Sequence, residues 1–297
     1  SFFRVIFVNL NQTITMRAFL CICFLTVSTL SFSQEKNDSI PAKWKFTGQF
    51  TFLFNQSNFS NWKAGGDNTI AGNFGVDYDF NYKNGDWNWD NRVRTVYGLS
   101  NIKDQGFRKN SDRFEYNSLL GKKTKNNWFL SFFLNFKTQF SKGYDYKPTP
   151  KVAISDFLAP AYLSFGPGML WKKSDNININ IAPASARVTF VSDEFSGKYG
   201  VDQGENHKFA LGFSLSAYYK LTLMKNVTLE NIFALYSNYI ENPQNIDIDY
   251  QMNFDLLINK YLSMNIKFHV IVDDNASTQV QFKEIFGLSA KYIFHKK

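Results

Sequence analysis

The sequence has few of the residues on which several classes of protein depend. Its 297 residues include seven prolines, three histidines and two cysteines, Cys21 and Cys23. Two cysteines one residue apart exclude a disulfide-stapled scaffold and a CxxC zinc site. After Gln34 no apolar run approaches the ~18 residues that suggest a transmembrane helix. The net charge of +8 comes without a cluster of Lys and Arg, so we expect no nucleic-acid partner.

Aromatic residues, by contrast, are abundant. They make up 18% of the chain, with 32 Phe and 15 Tyr, and hydrophobic residues in total make up 44%. This content excludes a disordered chain, because such chains lack the apolar side chains needed to form a core. The length is sufficient for a large core or for one large barrel.

The N-terminal region has the features of an export signal. Met16 and Arg17 precede a mostly apolar stretch, 18–30, and a small-residue Ser-x-Ser site ends at Ser33. We therefore expect residues 1–15 to be an upstream mis-start, 16–33 a cleaved signal peptide, 34–43 a short lead and 44–297 the folded domain. A short buried or membrane helix is the less favoured alternative, because the stretch is short for a span of ~20 residues. Cleavage of this signal peptide would remove both cysteines from the folded domain.

The rest of the chain alternates between apolar and polar residues with period two. In the first segment Trp44, Phe46, Phe50 and Phe52 share one face, whereas Lys45 and other polar residues share the opposite face. Successive side chains of a strand point to opposite faces, so the pattern predicts strands. Twelve segments show it, at roughly 44–55, 70–83, 87–99, 111–124, 128–142, 161–173, 176–192, 206–224, 227–241, 245–259, 261–273 and 279–294. Gly166-Pro167-Gly168 and Pro183 interrupt the rhythm and predict bulges or strand ends.

The connections between these segments favour a membrane barrel over a soluble sandwich. Short turns near 84–85, 125–127, 174–175, 225–226 and 259–260 alternate with longer links at 56–67, 101–110, 143–160, 193–205 and 274–278, and a tighter link at 241–243. Outer-membrane barrels have short periplasmic turns and longer external loops. We predict an all-β fold, a single antiparallel transmembrane β-barrel of about twelve strands in the outer membrane. A sandwich core would also alternate, but the segments exceed the usual ~5–6 residues of globular strands.

One hairpin can be assigned a register. If Asn84-Gly85 is a two-residue type I′ turn, Tyr82 lies opposite Trp87 and Asp79 opposite Asp90. The second pair would be repulsive unless a cation lies between the two carboxylates.

In a membrane barrel the polar faces point inward and provide the candidate functional residues. The predicted lumen residues are Asp77, Asp79, Asp90, Arg92, Arg94, Arg113, Glu115 and Lys137. Further inward positions include Glu230, Asp247, Asp249, Asp255, Lys267, His269 and Lys283. Their mixed signs fit a salt-bridged interior, or less well a selective pore lining.

The first functional hypothesis is a passive channel for small solutes, and the second is a structural or partner-binding component of an outer-membrane assembly. A membrane hydrolase using His207 or His269 is least favoured, because no nucleophile motif accompanies either residue. We expect no catalytic residues, metal or cofactor. The expected partners are outer-membrane lipid and either small solutes or another envelope protein.

Several short strings resemble a Bacteroidetes-type envelope family catalogued as a domain of unknown function. They include Asn61-Trp62-x-x-Gly65-Gly66, Phe107-Arg108-Lys109 with Asp112-Arg113, Thr138-Gln139-Phe140 with Gly143-Tyr144-Asp145, and Ser155-Asp156-Phe157-Leu158-Ala159-Pro160-Ala161-Tyr162. The resemblance extends over nearly the whole chain after Trp44. It implies an exported, barrel-like protein and provides no catalytic residues. Asn61, Trp62, Gly65 and Gly66 fall in the first long loop. We expect them to pack the barrel mouth, and the alternative is a contact with a ligand or a partner.

Overall fold

The computed structural model describes residues 43–58 and 68–296. The predicted signal peptide and the loop residues Asn61, Trp62, Gly65 and Gly66 lie outside this part of the chain. The strands are β1 (Trp44–Ser57), β2 (Thr69–Asn84), β3 (Trp87–Ile102), β4 (Gly106–Lys123), β5 (Trp128–Thr138), β6 (Gly143–Asp145), β7 (Val152–Ser155), β8 (Ala161–Ser174), β9 (Ile177–Phe190), β10 (His207–Met224), β11 (Val227–Asn238), β12 (Ile246–Leu257), β13 (Leu262–Asp273) and β14 (Ser277–Lys296).

Twelve of the described strands form one closed antiparallel barrel, which confirms the predicted fold class. Each barrel strand pairs with the next along the chain, β6 and β7 being skipped, and β14 pairs back onto β1 from Phe46↔Lys296 to Phe54↔Leu288. Closure leaves no unpaired edge in the ring, so every strand has two hydrogen-bonded neighbours. Within the described residues no helix is long and apolar enough to cross a membrane.

The alternating pattern of the sequence places one set of side chains on the outer wall of the barrel and the other set in its interior. Phe50, Phe52 and Phe54 of β1 point outward and are 41%, 48% and 39% exposed, whereas Leu53 points inward and is 4% exposed. The same outward exposure of large apolar side chains recurs on the other barrel strands, for example at Phe132 on β5. The barrel therefore has an apolar outer wall and a polar interior, the reverse of a water-soluble protein.

The predicted register of the β2–β3 hairpin is wrong by two residues. Tyr82 lies opposite Trp89 rather than Trp87, and Asp79 lies opposite Arg92 rather than Asp90. The turn residues are Gly85 and Asp86, with Gly85 at a φ of 55°. A shift of two residues preserves the side-chain parity, so the inward and outward faces remain as predicted.

The links also differ from the prediction in length. The links predicted at 101–110 and 274–278 are turns of residues 103–105 and 274–276, because the flanking strands continue further than their alternation indicated. The long connections among the described residues are 139–160, 191–206 and 239–245. The predicted irregularity at Gly166-Pro167-Gly168 is confirmed, since the β8–β9 register shifts between Phe165 and Met169.

Two of the long loops form a small structure of their own, which we call the loop cap. The first contains the short β6–β7 hairpin, and the second contains a 3-10 turn, Asp193–Phe195. Its core, buried to 6% exposure or less, consists of Ala159, Val191, Phe195 and Val201. The string Ser155-Asp156-Phe157-Leu158-Ala159-Pro160-Ala161-Tyr162 contributes Ala159 to this core.

Candidate functional site

Charged side chains from several strands meet inside the barrel. We call the set around Glu230 and Asp249 the lumen network. It contains seven of the eight predicted lumen residues, namely Asp77, Asp79, Arg92, Arg94, Arg113, Glu115 and Lys137, and joins them to Glu230, Asp249 and His269. The period-two pattern placed these residues on the inner face. Their mutual contacts depend on the ring as a whole.

Glu230 on β11 is the acceptor of the first half of the network. Its Oε1 accepts a hydrogen bond from Arg94 Nη2 at 2.9 Å and lies 4.0 Å from Arg92 Nη1. Tyr218 and Asn253 donate to the same carboxylate at 3.0 and 3.1 Å. Three hydrogen-bond donors and the ionic contact with Arg92 thus surround this carboxylate, which offsets the cost of placing it inside the barrel.

The two arginines of this half are each held by a neighbour on β2 as well. Arg92 binds both carboxylate oxygens of Asp79, with Nη2 3.0 Å from Oδ2. Arg94 Nε lies 3.2 Å from Asp77 Oδ1, an ionic contact without the alignment of a hydrogen bond. The observed register is what brings each pair together, because Asp79 faces Arg92 and Asp77 faces Arg94 across the strands. Cross-strand pairs of opposite charge stabilise a sheet.

The contact between Arg94 and Glu230 crosses the whole barrel. Arg94 lies on β3 and Glu230 on β11, and these strands are six positions apart around the ring in either direction. Two opposite walls are therefore joined directly by their side chains. A barrel of ~8 strands is filled by side chains and one of ~16 leaves a channel; here, long charged side chains reach across an interior of intermediate width.

Asp249 on β12 is the acceptor of the second half. Its carboxylate lies 2.8 Å from Lys137 Nζ, 2.8 Å from His269 Nε2 and 3.6 Å from Arg113 Nη2. Arg113 also pairs with Glu115. The β4 and β12 strands are again on opposite sides of the ring, so Arg113 and Asp249 form a second connection across the lumen.

The charges of the network nearly cancel. Four cationic side chains, Arg92, Arg94, Arg113 and Lys137, face five carboxylates, Asp77, Asp79, Glu115, Glu230 and Asp249. Mixed signs in one cluster produce no strong field of one sign, so the network does not form a ring selective for cations or for anions. The side chains keep access to water, with Arg94, Glu230 and Asp77 at 19%, 20% and 47% exposure.

Asp90, the eighth predicted lumen residue, lies in a separate pair. Its Oδ2 is 2.6 Å from Lys172 Nζ on β8. Lys172, Arg187 and Lys291 are charged lumen residues that the sequence interpretation missed. The latter two pair with Asp247 and Asp255. Lys172 and Arg187 follow the interruptions at Gly166-Pro167-Gly168 and Pro183, where the alternation could not be followed, whereas Lys291 shares the parity of Lys283 and could have been found.

Two of the motif residues of β4, Lys109 and Asp112, anchor a loop, whereas Arg113 of the same string belongs to the lumen network. Asp112 accepts hydrogen bonds from the backbone N–H groups of Phe140 and Ser141 at 2.8 and 3.0 Å. Lys109 Nζ donates to the same carboxylate at 2.8 Å. Asp112 therefore fixes the start of the long loop that follows β5, which gives two of the quoted strings a shared structural role.

Nothing in the described part of the chain assembles a metal site, since no group of three or more His, Cys, Asp or Glu residues is placed to hold an ion there. His269 belongs to the lumen network through Asp249, whereas His207 begins β10. The expectation that the protein is not an enzyme stays a prediction.

The model of the family described as "Protein of unknown function (DUF3078)" matches residues 54–144. This match confirms the resemblance to a family of unknown function over that part of the chain. No curated protein matches the chain. Similar solved structures include an outer membrane channel from Pseudomonas putida F1, with a TM-score of 0.39, 9% identity and coverage of 89% of this chain and 100% of that chain. Another is the translocator domain of the autotransporter NalP from Neisseria meningitidis, with a TM-score of 0.34, 8% identity and coverage of 95% and 98%.

Proposed function

We propose that this protein is an outer-membrane barrel and that its lumen is a narrow, gated passage for small polar solutes. The membrane assignment is supported by the outer wall, where aromatic and aliphatic side chains are exposed on a closed ring of long strands. Exposed apolar surface on this scale is costly in water and favourable in lipid. A closed barrel also satisfies every backbone hydrogen bond internally, as the hydrocarbon region requires.

The gate is inferred from one observation, the direct contact between Arg94 and Glu230 across the ring. The contact spans the lumen, and its two side chains are partly hydrated, at 19% and 20% exposure, rather than part of a packed apolar core. Side chains of this kind change rotamer within nanoseconds when exposed, whereas a packed core does not. We therefore expect the wild-type barrel to conduct poorly and to open when the charged contact is removed.

The experiment is single-channel conductance in a planar bilayer. The wild-type barrel, an Arg94→Gln/Glu230→Gln double variant and a Lys45→Gln variant are compared. The control removes only Lys45, which is 67% exposed and whose Nζ lies 3.8 Å from Asp175. Each protein is first shown to be folded and inserted by heat-modifiable migration on a gel and by protease protection.

The proposal predicts frequent or larger openings in the lumen variant and wild-type behaviour in the control. A folded, inserted lumen variant that stays as silent as the wild type would contradict the passage. Equal conductance of all three proteins would contradict the gate.

The loop cap favours a second candidate function, the binding of another envelope protein. This region is ordered by its own buried core and by ionic contacts of Lys142 with Glu194 at 2.6 Å and with Asp156 at 3.6 Å. Ordered loops positioned by a rigid scaffold are common binding surfaces. Crosslinking from the exposed Leu158 in intact cells tests it. One recurrent crosslinked protein supports this function, and a barrel recovered without any crosslinked protein counts against it.

A further inference from the structure

The two rims of the barrel carry opposite charge. We define the short-turn rim as residues 83–87, 122–127, 172–176, 225–226 and 258–261, and the long-loop rim as residues 102–106, 139–160, 191–206, 239–245 and 274–276. The short-turn rim holds eight lysines and two aspartates, a net charge of +6. The described long-loop rim holds five lysines and nine acidic residues, a net charge of −4. Such a difference directs any anionic surface to one end of the molecule.

The basic rim is combined with a belt of aromatic side chains. All the tryptophans that the structure describes lie within a few residues of the short turns or of the start of β1, and they are Trp44, Trp87, Trp89, Trp128 and Trp171. Trp87 and Trp128 are 43% and 40% exposed on the outer wall. Lys122 Nζ lies 5.5 Å from the centre of the Trp87 ring. Aromatic belts sit at the headgroup level of a bilayer, so these lysines lie at the depth of lipid phosphates.

A groove on the outer wall begins at this rim. It has a volume of about 560 Å³ and is lined by Trp128, Met169, Ile181 and Pro183, with Thr124 and Lys125 at its short-turn end. The lining is almost entirely apolar. The register shift between β8 and β9 lies directly beside it, where the ladder is interrupted between Phe165 and Met169. The groove is shallow and open to the surroundings of the outer wall, so a ligand in it would stay in contact with the lipid.

We propose that this groove binds an anionic phospholipid, with an acyl chain along Trp128, Met169 and Ile181 and the headgroup phosphate at Lys125. The groove is apolar along its length and ends at the hydroxyl group of Thr124 and the ammonium group of Lys125, at the depth of the aromatic belt. This arrangement matches the apolar chain and the charged headgroup of such a lipid. The +6 charge of the rim favours an anionic headgroup over a zwitterionic one. This inference rests on the membrane assignment proposed above and is independent of conductance.

The test uses the full barrel reconstituted into vesicles of mixed phosphatidylglycerol and phosphatidylcholine, one of which carries brominated acyl chains that quench tryptophan. The difference in quenching between the wild type and Trp128→Phe isolates the tryptophan of the groove. We expect brominated phosphatidylglycerol to quench Trp128 more than its mole fraction predicts. A single lysine at an anionic surface corresponds to a preference of about five-fold.

The matched variants are Lys125→Gln at the groove, Lys83→Gln elsewhere on the same rim and Lys147→Gln on the long-loop rim. The proposal predicts that only Lys125→Gln reduces the preference at Trp128, by about five-fold. Equal quenching by both lipids, or an equal effect of Lys83→Gln, would overturn it. Protease protection of the same samples separates these results from a failure to insert, which would count against the proposed function instead.

Discussion

A double-mutant cycle on Arg94 and Glu230 tests the contact that joins opposite walls of the barrel. The single changes are Arg94→Gln and Glu230→Gln, which remove one charge each. Glu230→Gln keeps the length of the side chain, whereas Arg94→Gln leaves a shorter polar side chain. Arg94 Nη2 and Glu230 Oε1 are 2.9 Å apart, and the two side chains are 19% and 20% exposed. The pair thus lies between an exposed ion pair, worth about 0–1 kcal/mol, and a fully buried one, whose disruption costs about 3–5 kcal/mol.

The other partners of each group refine the magnitude. Glu230→Gln leaves Arg94 with Asp77, so the arginine keeps a partial partner. We therefore expect each single change to lower the free energy of unfolding by about 2 kcal/mol, the value for a hydrogen bond between charged groups. The double variant should lose less than the sum of the single changes, with a coupling energy of about 1–2 kcal/mol.

The assay is urea unfolding of the barrel in detergent micelles or vesicles, followed by tryptophan fluorescence. The Lys45–Asp175 pair serves as the reference cycle, because its exposure predicts a coupling below about 0.5 kcal/mol. The reasoning would be refuted by additive effects of Arg94→Gln and Glu230→Gln. Additivity within about 0.3–0.5 kcal/mol means that the two groups do not interact.

Two further predictions concern a glycine on the inner wall and the loop cap. A methyl group at Gly98 would lie 1.9 Å from Asn73 Oδ1, whereas at Gly75 the nearest atom would be 3.5 Å away. Gly98→Ala should therefore lower the free energy of unfolding by about 1–3 kcal/mol in the same urea assay. Gly75→Ala, the matched control, should have little effect. In the cap, the hydrogen bond to Glu194 raises the pKa of Lys142. Stabilisation by this contact is thus present at neutral pH and is lost as the pH rises through the raised pKa. Hydrogen exchange of residues 193–201 should become faster in Lys142→Gln at pH 7, and unchanged exchange would show that the ion pair does not hold the cap.

The sequence predicts the faces of the strands more reliably than their pairing. Period two placed Asp79 and Arg92 on the inner face, and this holds whatever the register. The register itself depended on which residues form the turn, and Gly85-Asp86 rather than Asn84-Gly85 occupies it. A turn displaced by one residue moves every pair by two, which replaces a repulsive Asp79–Asp90 pair with the Asp79–Arg92 ion pair.

Contacts across the lumen were beyond the reach of the sequence. Arg94 and Glu230 are 136 residues apart, and their meeting depends on the number of strands and on the shape of the ring. The β6–β7 hairpin was missed for a simpler reason. Its strands have three and four residues, too few for an alternation to be recognised against the surrounding loop.

The seam between β1 and β14 has a consequence for how the chain can be made. Thr47 lies opposite His295 in this pairing, 248 positions further along the chain. Pairing between such distant segments forms slowly. The ring also cannot close until β14 is present to pair with β1. Until then both terminal strands present unpaired edges that would template aggregation. A chain shortened by β14 should therefore fail to form the barrel. In the chain that contains β14, the two terminal edges must be kept from pairing with other chains until they pair with each other.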